Sequence, residues 1–201
     1  MKKLAFAICL FLVIALLVSA RWGTKAVDAP PQDTLATPDT TLAAALSLEE
    51  MVHQSEAIVI GTCTDTQSVW VDRALVTLAT VSISETLKGT ESANVTVVLP
   101  GGVDANRKVP IAMTYPGAPR ITPGENVFLF LTSDTDYGTG YNVAGFSQGK
   151  FSIVSDENGE LLVSRDLTKI SLKSSKGVRR GGSNATPLSS FKAQVKAYLN
   201  K

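Results

Sequence analysis

The sequence predicts a mainly β fold, a small antiparallel barrel or sandwich with one short helix before it and one after it. Three observations carry that expectation. Short apolar or alternating runs recur between residues 57 and 163, punctuated by glycine, proline, asparagine and aspartate at the spacings of barrels and sandwiches. Strands do not alternate with helices, which argues against a parallel α/β sheet. Helical periodicity is confined to two stretches, one beginning at Leu48 and one at Leu188.

The elements follow in order. Lys2 and Lys3 precede a fifteen-residue apolar run, residues 4–18, and Val18-Ser19-Ala20 supplies small residues at a cleavage site. A charged, an apolar and a small segment in that order form a secretory signal peptide, residues 1–20. The apolar stretch also just reaches the ~17-residue lower limit of a spanning helix, so an uncleaved anchor is the second reading. Both place the remainder outside the cytoplasm, as a secreted, periplasmic or cell-envelope protein. Membrane contact then comes only through the N-terminal segment, if it stays uncleaved. Residues 21–46, rich in Ala, Thr and Asp and broken by Pro30, Pro31 and Pro38, read as a flexible linker.

The β domain is expected over residues 47–168. Ser47-Leu48-Glu49-Glu50 is a capping box, and Leu48, Met51 and Val52 recur at helical spacing to about Gln54. Strands are expected at 57–62, 69–71, 74–87 and 95–99, the last ending at Pro100-Gly101-Gly102. Residues 127–131 are continuously apolar, as a central buried strand requires. Strands at 141–146, 150–154 and 160–163 complete the set, and Asn158-Gly159 marks a hairpin turn between the last two. Residues 169–186 are basic, rich in Gly and Ser and without an apolar face, and read as a flexible loop. A C-terminal helix, residues 187–201, is expected from Thr186 as N-cap and Pro187 at the first helical position. Its apolar stripe is Leu188, Phe191, Val195, Tyr198 and Leu199, with Lys192 and Lys196 on the side turned outward.

Composition narrows the chemistry. The 201 residues hold one His and two Cys, and Cys9 lies inside the N-terminal apolar run. His53 and Cys63 alone cannot supply a classical multi-ligand zinc or iron–sulfur site, and a disulfide scaffold is excluded on the same count. A Cys–His nucleophile would need these two residues together. Cys63, in an apolar stretch, reads instead as a buried inert thiol, with intermolecular pairing as the alternative in an oxidising compartment. No HExxH, GxSxG, Walker or dinucleotide motif occurs. No catalytic residue, metal ligand or cofactor is therefore assigned. The enzymatic alternative is a carboxylate- or metal-dependent hydrolase using Asp134, Asp136, Asp156 or Glu157, acids that turns also favour because they bond nearby amides. A calcium site on Asp134, Asp136 and backbone carbonyls belongs to that alternative.

Two segments are candidate binding regions. Residues 100–124 hold five prolines and four glycines, and loops of that length in compact domains are functional or disordered. Pro100, Gly101, Gly102, Met113, Tyr115, Pro116 and Ile121 are the candidate contacts for another exported or envelope protein. The structural alternative is an Ω-loop that closes one end of the barrel. The motif Gly145-Phe146-Ser147-Gln148-Gly149-Lys150-Phe151 reads as a bulged hairpin, since no helix follows to hold a phosphate.

The second segment carries Lys169, Lys173, Lys176, Arg179 and Arg180, an anionic-partner candidate. Net charge is +1 overall, but residues 21–160 carry −9 and residues 161–201 carry +8. Anionic lipid headgroups, acidic polysaccharide or nucleic acid fit such an end. The lack of interleaved aromatics argues against stacking on single strands. The alternative partner is the acidic body of the same molecule.

Several phrases resemble a group of uncharacterised bacterial exported proteins. They run from Leu48-Glu49-Glu50 and Ala57-Ile58-Val59-Ile60-Gly61 to Leu87-Lys88-Gly89 and Pro100-Gly101-Gly102. Pro123-Gly124-Glu125 before Val127-Phe128-Leu129-Phe130-Leu131, then Gln148-Gly149-Lys150-Phe151, complete the set. More distantly, a helix, Glu56-Ala57-Ile58-Val59-Ile60-Gly61 and a long strand ending Leu87-Lys88-Gly89 resemble the netrin module, the OB barrel shared with tissue inhibitors of metalloproteinases. The resemblance implies an OB-like antiparallel β-barrel with a short N-terminal helix and a C-terminal amphipathic helix. Those inhibitors chelate zinc through an N-terminal disulfide-bonded Cys-x-Cys, which this sequence lacks, so their mechanism does not carry over. The function expected is a non-enzymatic binding or inhibitory module that uses the barrel rim and the Pro-rich loop. An envelope-associated structural protein is the further alternative.

Overall fold

A computed structural model describes residues 40–133 and 140–201. The expected signal peptide, most of the expected linker and the acids Asp134 and Asp136 lie outside the described residues. The fold is mainly β, with two helices among the described residues. In chain order the first elements are β1 (Thr41–Ala44), α1 (Leu48–Gln54), β2 (Ala57–Val71), β3 (Ala74–Lys88) and β4 (Asn94–Pro100). The short pair β5 (Gly102–Asp104) and β6 (Ile111–Met113) precedes β7 (Asn126–Ser133), β8 (Tyr141–Val143), β9 (Lys150–Ser155) and β10 (Leu161–Asp166). The chain ends with β11 (Ile170–Ser174), β12 (Gly177–Arg180), β13 (Ser183–Pro187) and α2 (Leu188–Leu199).

The strand pairings close on themselves. β2 and β3 form one long antiparallel hairpin, turned at Asp72, whose φ of 52° suits an aspartate. β3 pairs with β4, and β4 pairs in parallel with β8 through Val97–Tyr141 and Val98–Asn142. β8 pairs with β7, and β7 returns to β2 through Ala57–Leu131, Val59–Leu129 and Gly61–Val127. The cycle β2-β3-β4-β8-β7 is thus complete. At β7 the sheet also forks: Val127–Leu129 pairs with β9, which leads to β10 and β13.

This fork explains the uninterrupted apolar run of β7. Val127, Leu129 and Leu131 join Ala57, Val59, Val81 and Val97 in the cluster enclosed by the strand cycle. Phe128 and Phe130 point the opposite way, into a second cluster with Met51, Val52, Ile58, Phe151 and Phe191 that lies under both helices. A strand covered on both faces needs no polar positions. Phe191 of α2 meets Phe128, Phe130 and Phe151 at centroid separations of 5.1, 6.2 and 4.7 Å.

Both helices follow their expected apolar spacing. Ser47 and Glu50 form the capping box at the start of α1. Lys88 Nζ donates to the carbonyls of Val52 (2.9 Å) and His53 (3.4 Å), satisfying the far end of the same helix. At α2 the N-cap position falls on Pro187, not on Thr186, because Thr186 is held in β13 opposite Val163. Lys192 and Lys196 do not face away from the body: both pair with Glu85 of β3, Lys196 at 3.8 Å.

Two further expectations are corrected. The last residues of the presumed linker form β1, parallel to β11, with Thr41 N–H donating to Lys169 O at 3.1 Å. The buried Gln148 ties the same segment down, donating to Ala44 O (2.7 Å) and accepting from Leu46 N–H (2.9 Å). Residues 169–186, expected to be a loop, carry β11, β12 and β13. Ile170 and Leu172 alternate into a third buried cluster with Leu167, against which Ala43, Ala45 and Phe146 pack. Two apolar residues suffice when the facing strand and turn supply the rest of the burial.

Candidate functional site

The chain between β4 and β7 builds the principal concavity. It does not run free. Gly101 N–H donates to Leu75 O at 3.0 Å, Leu75 N–H reaches Met113 Sδ at 3.4 Å, and Thr41 Oγ1 donates to Pro116 O at 2.5 Å. Ile121 is buried inside the strand cycle, so the far end of the loop is anchored in the core. Within this stretch the segment 114–120 rests on β1 and β11, Pro116 through the Thr41 bond and Gly117 against Ile170.

Two clefts meet there. A smaller one of about 250 Å³ is lined by Pro100, Gly101, Gly102, Met113, Tyr115 and Ile121. A larger groove of about 800 Å³ runs from the same segment, Tyr115 and Pro116 included, over Lys150 and Ser152 of β9 and Ser164 and Asp166 of β10. All seven candidate loop residues therefore line one or both clefts. Of the basic candidates only Lys169 reaches the larger groove; Lys173, Lys176, Arg179 and Arg180 lie on the β11–β12 hairpin outside it.

The groove contains residues that sequence reasoning did not single out. Glu125, Lys150 and Ser152 form a closed triangle: Lys150 Nζ to Glu125 Oε1 at 2.5 Å, Ser152 Oγ to the same oxygen at 2.7 Å, and Lys150 Nζ to Ser152 Oγ at 2.7 Å. Burial pushes the Glu125 carboxyl up, but the bonds from Lys150 and Ser152, the Lys150 charge and the Thr122 amide outweigh it and hold the group below its ordinary value. Glu125 and Lys150 each stand in a phrase already quoted, Pro123-Gly124-Glu125 and Gln148-Gly149-Lys150, about 25 residues apart in sequence. The signal was the pair of glycine turns; the pairing itself was visible only in space.

At the other side, Asp166 accepts from Thr168 N–H at 2.8 Å, and the Thr168 bonds keep its carboxyl below the ordinary range. Arg165 is half-buried, donates Nη1 to Gln148 O at 2.7 Å and lies over the Phe151 ring at 4.7 Å. Burial lowers its pKa, and the like charge of Arg179 adds to that shift. Its Nε and the hydroxyl of buried Ser147, both from residues that line the groove, have no hydrogen-bond partner among the described residues. Arg120 and Lys169 are exposed on the groove's walls, and no carboxylate pairs with either among the described residues. The groove can thus receive a ligand with acceptor oxygens at Arg120 and Lys169 and an apolar part against Tyr115 and Pro119.

The nucleophile candidates are apart. Cys63 packs inside the strand cycle, its thiol donating to Asp65 O at 3.4 Å and pushed up by burial. His53 is exposed on α1, across the sheet from that interior. Asp156 is occupied within its turn, accepting from Asn158 and Glu160 amides at 2.9 and 2.8 Å, and Glu157 is exposed in the same turn. Among the described residues no three His, Cys, Asp or Glu side chains gather to hold a metal ion. No described helix is long and apolar enough to cross a membrane.

No family model, no characterised protein and no solved structure matches this chain.

Proposed function

We propose that the chain is an exported binding module on an OB-like barrel, and that the groove beside the Pro-rich segment 114–120 receives a segment of a partner protein. One observation carries this reading: two clefts, of about 250 and 800 Å³, meet at a segment held in place against β1 and β11 at Pro116 and Gly117. A rigid wall beside a polar floor binds an extended chain without paying to order itself first.

The barrel is supported by the closed cycle β2-β3-β4-β8-β7 and its single parallel contact, β4 with β8. Five strands in a closed, non-sequential order suit the OB type. With one imidazole and one thiol beyond the N-terminal run, the sequence favours binding over nucleophilic catalysis. A partner segment bearing a carboxylate near an apolar residue complements Arg120, Lys169 and Tyr115. Export rests on the Lys2–Ala20 pattern.

Site-specific photo-crosslinking tests the reading. A photoreactive residue replacing the exposed Tyr115 captures the same partner from the envelope fraction that the Arg120→Glu variant fails to retain. Capture that is equal from a probe at the exposed turn residue Glu91, or that survives Arg120→Glu with the fold intact, overturns it.

A further inference from the structure

The three-stranded sheet β1-β11-β12 has one face in the core and one in solvent. Its inward residues are Ala43, Ile170 and Leu172. The register fixes what lies outward. One cross-strand row is Leu42, Ser171 and Arg180; the next is Ala44, Lys173 and Val178. Leu42 is 60% exposed and Val178 61%, among the most exposed large apolar side chains described. Lys173 and Arg180 are exposed beside them, and Lys176 stands in the turn that joins β11 to β12.

The five cations of this region differ from those of α2. Lys192 and Lys196 are matched by Glu85, and Lys201 by Glu49 at 3.3 Å. For Lys169, Lys173, Lys176, Arg179 and Arg180 no ion pair occurs among the described residues; the nearest acid in sequence, Asp166, is bonded to Thr168 and feels only the Lys169 charge. The acidic body therefore neutralises the terminal helix and leaves the hairpin charged.

We propose that this face docks on an anionic lipid bilayer, with Leu42 and Val178 entering the headgroup boundary and Lys173 and Arg180 meeting the lipid phosphates. The pattern favours lipid over a purely ionic polymer, because two exposed apolar side chains stand among the cations on one face of the sheet. An acidic polysaccharide rewards the charges alone, whereas a bilayer interface rewards both. This surface lies on a different sheet from the groove and stands or falls independently of it.

The test uses the full chain with Val178→Trp, and vesicles of phosphatidylcholine alone or with about one-third phosphatidylglycerol, each carrying brominated acyl chains. Bromine quenching of residue 178 is expected on the anionic vesicles and not on the neutral ones, after subtraction of the signal of the unsubstituted protein. Adding Lys173→Glu and Arg180→Glu removes four units of charge in total, and apparent affinity falls more than tenfold, at about fivefold or more per lost cation. Arg120→Glu, in the groove, leaves the quenching unchanged. Because the altered side chains are exposed, an unchanged thermal transition confirms that the variants fold. Equal quenching on neutral vesicles, quenching unaffected by the double reversal, or binding to a sulfated polysaccharide without vesicle quenching each overturns the proposal.

Discussion

Gly117 offers the sharpest test of how the Pro-rich segment is held. Its φ is +70°, and a Cβ built there would stand 2.6 Å from Ile170 Cγ1 and 2.8 Å from the Lys169 carbonyl oxygen. Neither neighbour can give way: Ile170 is fully buried, and the carbonyl accepts from Thr41 N–H. Gly124, in the same loop, has φ +85° but nothing within 4 Å of its Cβ position. Gly124→Ala therefore isolates the backbone cost of the left-handed conformation, about 1–2 kcal/mol. Gly117→Ala adds to it the overpacking of a closed contact, about 1–3 kcal/mol. The expected totals are about 1–2 kcal/mol for Gly124→Ala and about 2–5 kcal/mol for Gly117→Ala, read from urea unfolding. Hydrogen exchange should also localise the damage: in Gly117→Ala the amides of β1 and of Ala118, which donates to Tyr115 O, exchange faster. If the two variants lose the same stability within about 0.5 kcal/mol, the segment is not seated on β11 and the groove wall is not rigid.

Other consequences follow from single residues. Phe191→Ala removes the ring that meets Phe128, Phe130 and Phe151, and should cost about 3–5 kcal/mol in urea unfolding; a loss below 1 kcal/mol would mean that α2 does not dock. Glu125 has a lowered pKa in the fold, so its contribution is complete above the unfolded value of about 4.3 and is lost as pH falls through the lower folded value. Glu125→Gln should flatten the stability profile across that acidic window, and an unchanged acid limb would contradict the Lys150–Ser152 triangle. Cys63, 1% exposed and with its thiol raised by burial, should resist alkylation in the native protein and react readily in urea; equal rates would place it at the surface.

Much of the fold was legible because the responsible signals are local. The capping box at Ser47 and Glu50, the unbroken apolar run of β7 and the stripe from Leu188 to Leu199 each state their burial within one element. The strands that were missed have no such signal. β1 depends on β11, about 130 residues later, for its only ladder, and its inward side chains are small alanines. β11 turns only Ile170 and Leu172 inward, and every residue of the edge strand β12 is exposed, so charge and glycine hid the alternation. The clefts were half legible: proline and glycine in residues 100–124 marked the walls, whereas the floor comes from β9 and β10, whose polar residues look like any solvent-facing alternation.

The charge asymmetry of the sequence resolves into two kinds of basic residue. Those of α2 and the C-terminus oppose Glu85 and Glu49 and serve the attachment of the helix. Those of the β11–β12 hairpin, Lys173, Lys176, Arg179 and Arg180, are exposed and form no ion pair among the described residues. Burial lowers the pKa of Arg165 on neighbouring β10, and the like charge of Arg179 adds to that shift. Charge on the edge strand β12 also blocks its pairing with another chain, a role that cations fill as readily as anions. The five cations of residues 169–180, without an ion pair among the described residues and beside the exposed Leu42 and Val178, are the ground on which the proposed bilayer docking rests. On that proposal the attraction is between exposed charges, so high salt should weaken docking while leaving the α2 contact and the fold in place.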